Sequence, residues 1–146
     1  MQNTEANNIK KAGQISPLTL AFVGDAVYEC AVRDYIVGKY GDLPPQQLHV
    51  YSSSIVRASA QAQTATFLQH HLTEEEKAMY QRGRNTHSHT VPKNADVNAY
   101  RVATGLETLM GFLHLSGQNE RLEMVLDLCR QYSWEELIHG KGYVEG

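Results

Sequence analysis

Apolar residues fall on every face of the stretch LTLAFVGDAVYECAVRDYIVG, Leu18 to Gly38. A helix patterned that way is surrounded by protein. Ser16 suits an N-cap and Pro17 a first helical position, so a helix is predicted from about Ser16 to Val37, ending at Gly38. YGDLPPQQ reads as a turn, and Pro44 and Pro45 open a short helix, PPQQLHVYS. Ser52 to Ser54 read as a second capped start, leading into IVRASAQAQTATFLQHH, whose alanines favour helix. In LTEEEKAMYQRGRN, Thr73 is the N-cap, and Glu74 to Glu76 set carboxylates at the positive end of the helix dipole. A polar segment, RGRNTHSHTVPKN, precedes a long helix over about Ala95 to Leu115. GQ then separates it from a last helix, Glu120 to His139. No stretch alternates with period two for long enough to make a strand, so the predicted class is all-α. Residues 1–14 read as a flexible polar arm, 15–139 as one domain and 140–146 as a frayed tail.

The chain has 146 residues, 42% apolar and 20% charged, which suits a single domain with a real core. Cys30 and Cys129 lie far apart in helical segments, with no CxxC pair and no zinc spacing. They predict reduced core residues in an intracellular, cytoplasmic protein. The N-terminus lacks the apolar stretch of a signal peptide, and Asp25, Glu29 and Arg33 break the longest apolar run, so no membrane partner is expected. The formal net charge of −3 argues against a nucleic-acid partner. That average hides one positive segment. Between Lys77 and Arg101 the chain carries Lys77, Arg82, Arg84, Lys93 and Arg101 against Asp96 alone. Asn85, Thr86, Ser88, Thr90 and Asn94 in the same segment suit phosphate and sugar oxygens. A solvated loop is the plainer reading, but the segment leads directly into a helix with chemistry of its own.

That chemistry is a pair of acids in apolar surroundings. Gly24 inside a helix costs roughly 1 kcal/mol relative to Ala. Asp25 beside it is costly to bury unless a cation, donors or a proton compensates it. Glu29 shares its face at i, i+4. Glu107 sits in a second apolar helix among Leu106, Leu109, Met110, Phe112 and Leu113, and Gly105 and Gly111 would let another helix approach. Two such helices can bring their carboxylates together for a hard cation such as Mg²⁺. The alternative is that both acids are surface or helix-end residues satisfied by nearby Arg or Lys. His70, His71, His87 and His89 are weak grounds for zinc, and Tyr28, Tyr100 and Phe112 read as core.

FVGDAVYE and LETLMGFLHLSG resemble the two signature helices of the ribonuclease III catalytic domain. With RGRN and PKNADVNAYRVATGLETLMGFLHL, the chain is most similar to the short bacterial members that lack a double-stranded-RNA-binding domain. The resemblance spans about Ser16 to Tyr132. It implies the family's helical endonuclease fold and a homodimer in which Phe22 enters a pocket of the partner. It also implies Asp25 and Glu107 as catalytic metal ligands for Mg²⁺. Arg82, Arg84, Asn85, Lys93, Asn94 and Arg101 would lie along the RNA backbone. The implied activity is endonucleolytic cleavage of double-stranded RNA to 5′-phosphate and 3′-hydroxyl ends. The subfamily implies 23S ribosomal RNA precursor as substrate, with a ribosomal protein as helper. Larger members carry further acids where this chain has Ala21 and Thr104. That departure favours a rival, a non-catalytic double-stranded-RNA-binding module of the same fold. An all-α phosphohydrolase acting on small molecules is a third reading, with no need for the positive segment or Phe22.

Overall fold

The computed structural model describes residues 4–86 and 96–145. Among them lie eight α-helices, a short 3₁₀ turn and a π-helical turn. The centre is α6 (Val97–Leu115), with Val102 to Leu106 and Thr108 to Leu113 all buried. Around it pack α2 (Pro17–Tyr40), α4 (Ala58–Leu68) and α5 (Glu74–Arg84). The core is Leu20, Tyr28, Val32 and Ile36 from α2 against Leu106, Leu109, Met110 and Leu113 from α6. The all-α class expected from the pattern is the class observed among the described residues.

Ser16 caps α2 by accepting the Thr19 N–H, with Pro17 in the first turn. The helix runs past Gly38 and stops at Gly41, where φ is 82°. Ile36 and Tyr40 pack on the core and carry the inward face past Gly38. α3 (Pro45–Val56) likewise runs through Ser52 to Ser54, and the break falls at Arg57, which is extended. Ser54 donates its hydroxyl to the Tyr51 carbonyl in its own helix, so no new cap forms there. α5 begins with the predicted capping box between Thr73 and Glu76. Glu76 is also paired with Arg121 of α7 (Asn119–Cys129) at 2.8 Å.

The single last helix expected from the pattern is two. A π-helical turn, Arg130–Trp134, separates α7 from α8 (Glu135–Glu145). The wide turn lets Ser133 and Trp134 both face inward: Ser133 meets Thr64 at 2.7 Å, and Trp134 donates to the Tyr28 hydroxyl at 2.8 Å. The helical backbone continues to Glu145, through the segment expected to fray. Residues read as a loose arm form α1 (Thr4–Gly13). Its apolar content is slight, but Ile9 and Ala12 share a face and pack on the core. Cys129 is buried, whereas Cys30 is exposed and not part of the core, and both are free thiols. No single helix among the described residues is long and apolar enough to cross a membrane.

Candidate active site

The site begins at a helix crossing with no side chains in it. A Cβ on Gly24 would stand 1.7 Å from the Glu107 carbonyl oxygen, and one on Gly111 1.9 Å from that of Leu20. Only glycine fits either place, so α2 and α6 touch backbone to backbone. Asp25 follows Gly24 and therefore lies close enough to Glu107 for its carboxyl to act on that group. Asp25 is exposed and Glu107 half-buried, so the pair opens to solvent on one side. Burial, then the charge and hydrogen bond of Asp25, push Glu107 up to about 8, and the charge of Glu29 adds to this.

A third polar side chain reaches this pair. Gln61 on α4 is 3% exposed, and its Nε2 donates to the Val56 carbonyl at 2.8 Å and, longer, to Glu107 Oε2 at 3.5 Å. Its Oε1 is buried with no hydrogen-bond partner among the described residues. In sequence Gln61 is one glutamine in the run QAQT, and nothing local sets it apart. Of the other acids, Glu29 bears on the pair through its charge, and the missing-acid positions offer no carboxylate. Glu29 leans towards Arg33 at 3.9 Å. Asp96 is spent as the N-cap of α6, accepting from the N–H groups of Asn98 and Ala99. Thr104 donates to the Tyr100 carbonyl, and Ala21 is buried. Among the described residues no group of three or more His, Cys, Asp or Glu could hold a metal ion. What remains is hard oxygen chemistry: two carboxylates that repel each other. That donor set fits Mg²⁺, which takes one or two carboxylates and keeps several waters.

A second close crossing carries the basic residues. A Cβ on Gly83 would stand 2.2 Å from Thr108 Oγ1, so α5 lies tight on α6. Arg84, Asn85 and Arg101 come together there with Asn98, lining a recess of about 310 Å³. Asn98 was not singled out by the sequence reading, although its i, i+3 spacing from Arg101 would place it on the same face. Arg82 points elsewhere. Its guanidinium donates to the Gly13 carbonyl at 2.6 Å and the Ile15 carbonyl at 3.5 Å, tying down the end of α1. Lys93 and Asn94, like His87 and His89, lie outside the described residues. On the outer face of α2, Phe22 is 80% exposed, with Leu18 one turn before it.

Residues 18–118 match the family described as Ribonuclease III domain. The chain belongs to the ribonuclease III family. Its matched region runs from α2 to the start of α7 and includes Asp25, Gln61, Arg84 and Glu107. Within the family it is 52% identical over 118 residues to Mini-ribonuclease 3 of Enterococcus faecalis, covering 80% of this chain and 89% of that one. It is 45% identical over 133 residues to Mini-ribonuclease 3 of Clostridium tetani, covering 91% and 87%. A crystal structure of a Fusobacterium nucleatum protein superposes with a TM-score of 0.71 at 29% identity, covering 81% of this chain and 93% of that one. The helical architecture described above is thus that of a ribonuclease III domain.

Proposed function

We propose that this ribonuclease III-family chain is a Mg²⁺-dependent endonuclease of double-stranded RNA that acts as a homodimer. Endoribonuclease activity follows from the family; the substrate, cation, site residues and assembly are our reading. The observation that carries it is the Asp25–Glu107 carboxyl pair, pressed together by the glycine crossing and open to solvent. Asp25 and Glu107 would hold the cation, which when bound lowers the pKa of water and offsets charge developing on phosphate. Arg84, Asn85, Asn98 and Arg101 line a recess suited to phosphate and sugar oxygens. A-form RNA is recognised through groove shape and 2′-hydroxyls, so such backbone contacts suffice to place the duplex. Lys93 and Asn94 extend the same basic segment in sequence. Arg82 contributes by holding α1 to α5 rather than by touching RNA. Phe22 would seat in the partner. Residues 15–139 form the catalytic domain in this reading. On resemblance alone, we place the work in the cytoplasm, on 23S ribosomal RNA precursor, with a ribosomal protein presenting it.

The second reading, a non-catalytic double-stranded-RNA-binding module, draws on the positions of Ala21 and Thr104, neither of which offers a carboxylate. One experiment separates them: purified protein with a long RNA duplex and Mg²⁺, alongside Asp25→Asn and an EDTA control. Cleavage by the wild type alone, with duplex binding kept in the mutant, supports the nuclease. Binding without cleavage in Mg²⁺ or Mn²⁺, with ribosomal precursor also tried, would make the chain a binding module.

A further inference from the structure

Gln61 is an uncompensated polar group in an otherwise well-satisfied core. The chain breaks at Arg57, and the Val56 carbonyl at the end of α3 takes the Gln61 Nε2–H at 2.8 Å. A carbonyl only accepts, so this bond fixes which end of the carboxamide is nitrogen. The oxygen is therefore left buried and unpaired, a condition that costs about 1–3 kcal/mol. A leucine would fill the same space between α4 and α6 without that cost. Nε2 also contacts Glu107 Oε2 at 3.5 Å, so the buried carboxamide ties the end of α3 to the acidic pair.

We propose that Gln61 is a positioning residue of the acidic site: anchored on the Val56 carbonyl, its Nε2 holds the Glu107 carboxylate in place for the cation. The inference rests on Asp25 and Glu107 being the cation site. Mg²⁺ demands near-ideal ligand geometry, so a carboxylate held in place suits it better than a free one. Ala21 and Thr104 offer no carboxylate to share that task.

The test is Mn²⁺ binding to the full chain, followed by the loss of the free-ion electron paramagnetic resonance signal, with folding checked by circular dichroism in EDTA. Wild type, Asp25→Asn and Gln61→Leu are compared. Partners that orient metal ligands typically contribute 10- to 100-fold in affinity, so Gln61→Leu should stay folded and bind Mn²⁺ about 10- to 100-fold more weakly. Wild-type affinity in Gln61→Leu would overturn the role of Gln61 while leaving the acidic pair standing. Wild-type binding that is absent, or that survives Asp25→Asn, would overturn the cation site and the role of Gln61 with it.

Discussion

At the scale of single residues, Glu107 and Glu135 are carboxyls pushed in opposite directions. Burial and then Asp25 raise Glu107 to about 8. Glu135 is opposed by burial too, but bonds from Lys39, Tyr35, Tyr40 and His139 outweigh it and hold the group at about 2. The signs follow by linkage. Protonated Glu107 stabilises the fold fully below the ordinary carboxylate range, and that contribution is lost as pH rises towards 8. Glu135 loses its contribution only on acidification, from the ordinary range down to about 2. Between pH 5 and 8 the Glu107 effect should therefore stand alone among these acids. In EDTA, the midpoint of urea unfolding should fall across that window, by an unfolding free energy on the order of a few kcal/mol. Asp25→Asn or added Mg²⁺ should flatten the fall. A midpoint that rises with pH in EDTA would sink the account. Asp25 and Glu107 were legible in the sequence because an acid in an apolar helix beside glycine demands a reason. Gln61 and Asn98 were not, because a polar residue in a helix is unremarkable until a neighbour distant in sequence gives it a job. Arg82 shows the converse: its charge suggested phosphate, and the carbonyls of Gly13 and Ile15 that it also holds could not be read from the sequence.

At the scale of elements, two glycines of α2 separate fit from propensity. Nothing lies within 4 Å of a Cβ built on Gly38, whereas one on Gly24 meets the α6 backbone at 1.7 Å. Gly38→Ala should stabilise by up to about 1 kcal/mol, because the helix gains propensity and nothing is displaced. Gly24→Ala should destabilise by about 3 kcal/mol or more, since two helix backbones must part. It should also separate Asp25 from Glu107. Thermal unfolding of both variants decides this, and equal effects would mean that the crossing is looser than described. The same contrast explains what the pattern could not give. Gly38 looks like a helix end, yet the helix continues because Ile36 and Tyr40 have a core to meet. The π-helical turn at Arg130–Trp134 is equally tertiary in origin, set by Tyr28 and Thr64 rather than by local propensity. Period and capping residues located the helices; packing moved their ends.

At the scale of the whole molecule, the outer face of α2 is unusually apolar for a surface. Phe22 is 80% exposed and Leu18 42%, and Ala26 and Cys30 continue the stripe at intervals of four residues. Further along the helix, Ile36 and Val37 with Pro45 and Leu48 of α3 line a recess of about 370 Å³. If the α2 helices of two copies pair antiparallel, Phe22 of each reaches the far half of the other, where that recess lies. The proposed homodimer thus uses both features of one helix, each to receive the other. Burying a phenylalanine gives roughly 2 kcal/mol or more, and the symmetry counts it twice. Phe22→Glu should therefore weaken dimerisation by about a thousandfold or more, while helicity stays unchanged. Sedimentation equilibrium reads the association directly. In the nuclease assay the monomer should nick one strand at a time rather than release both strands of the duplex together. A dimer that survives Phe22→Glu with undiminished affinity would place the interface on another face. The exposure of Phe22 would then need a different partner to explain it.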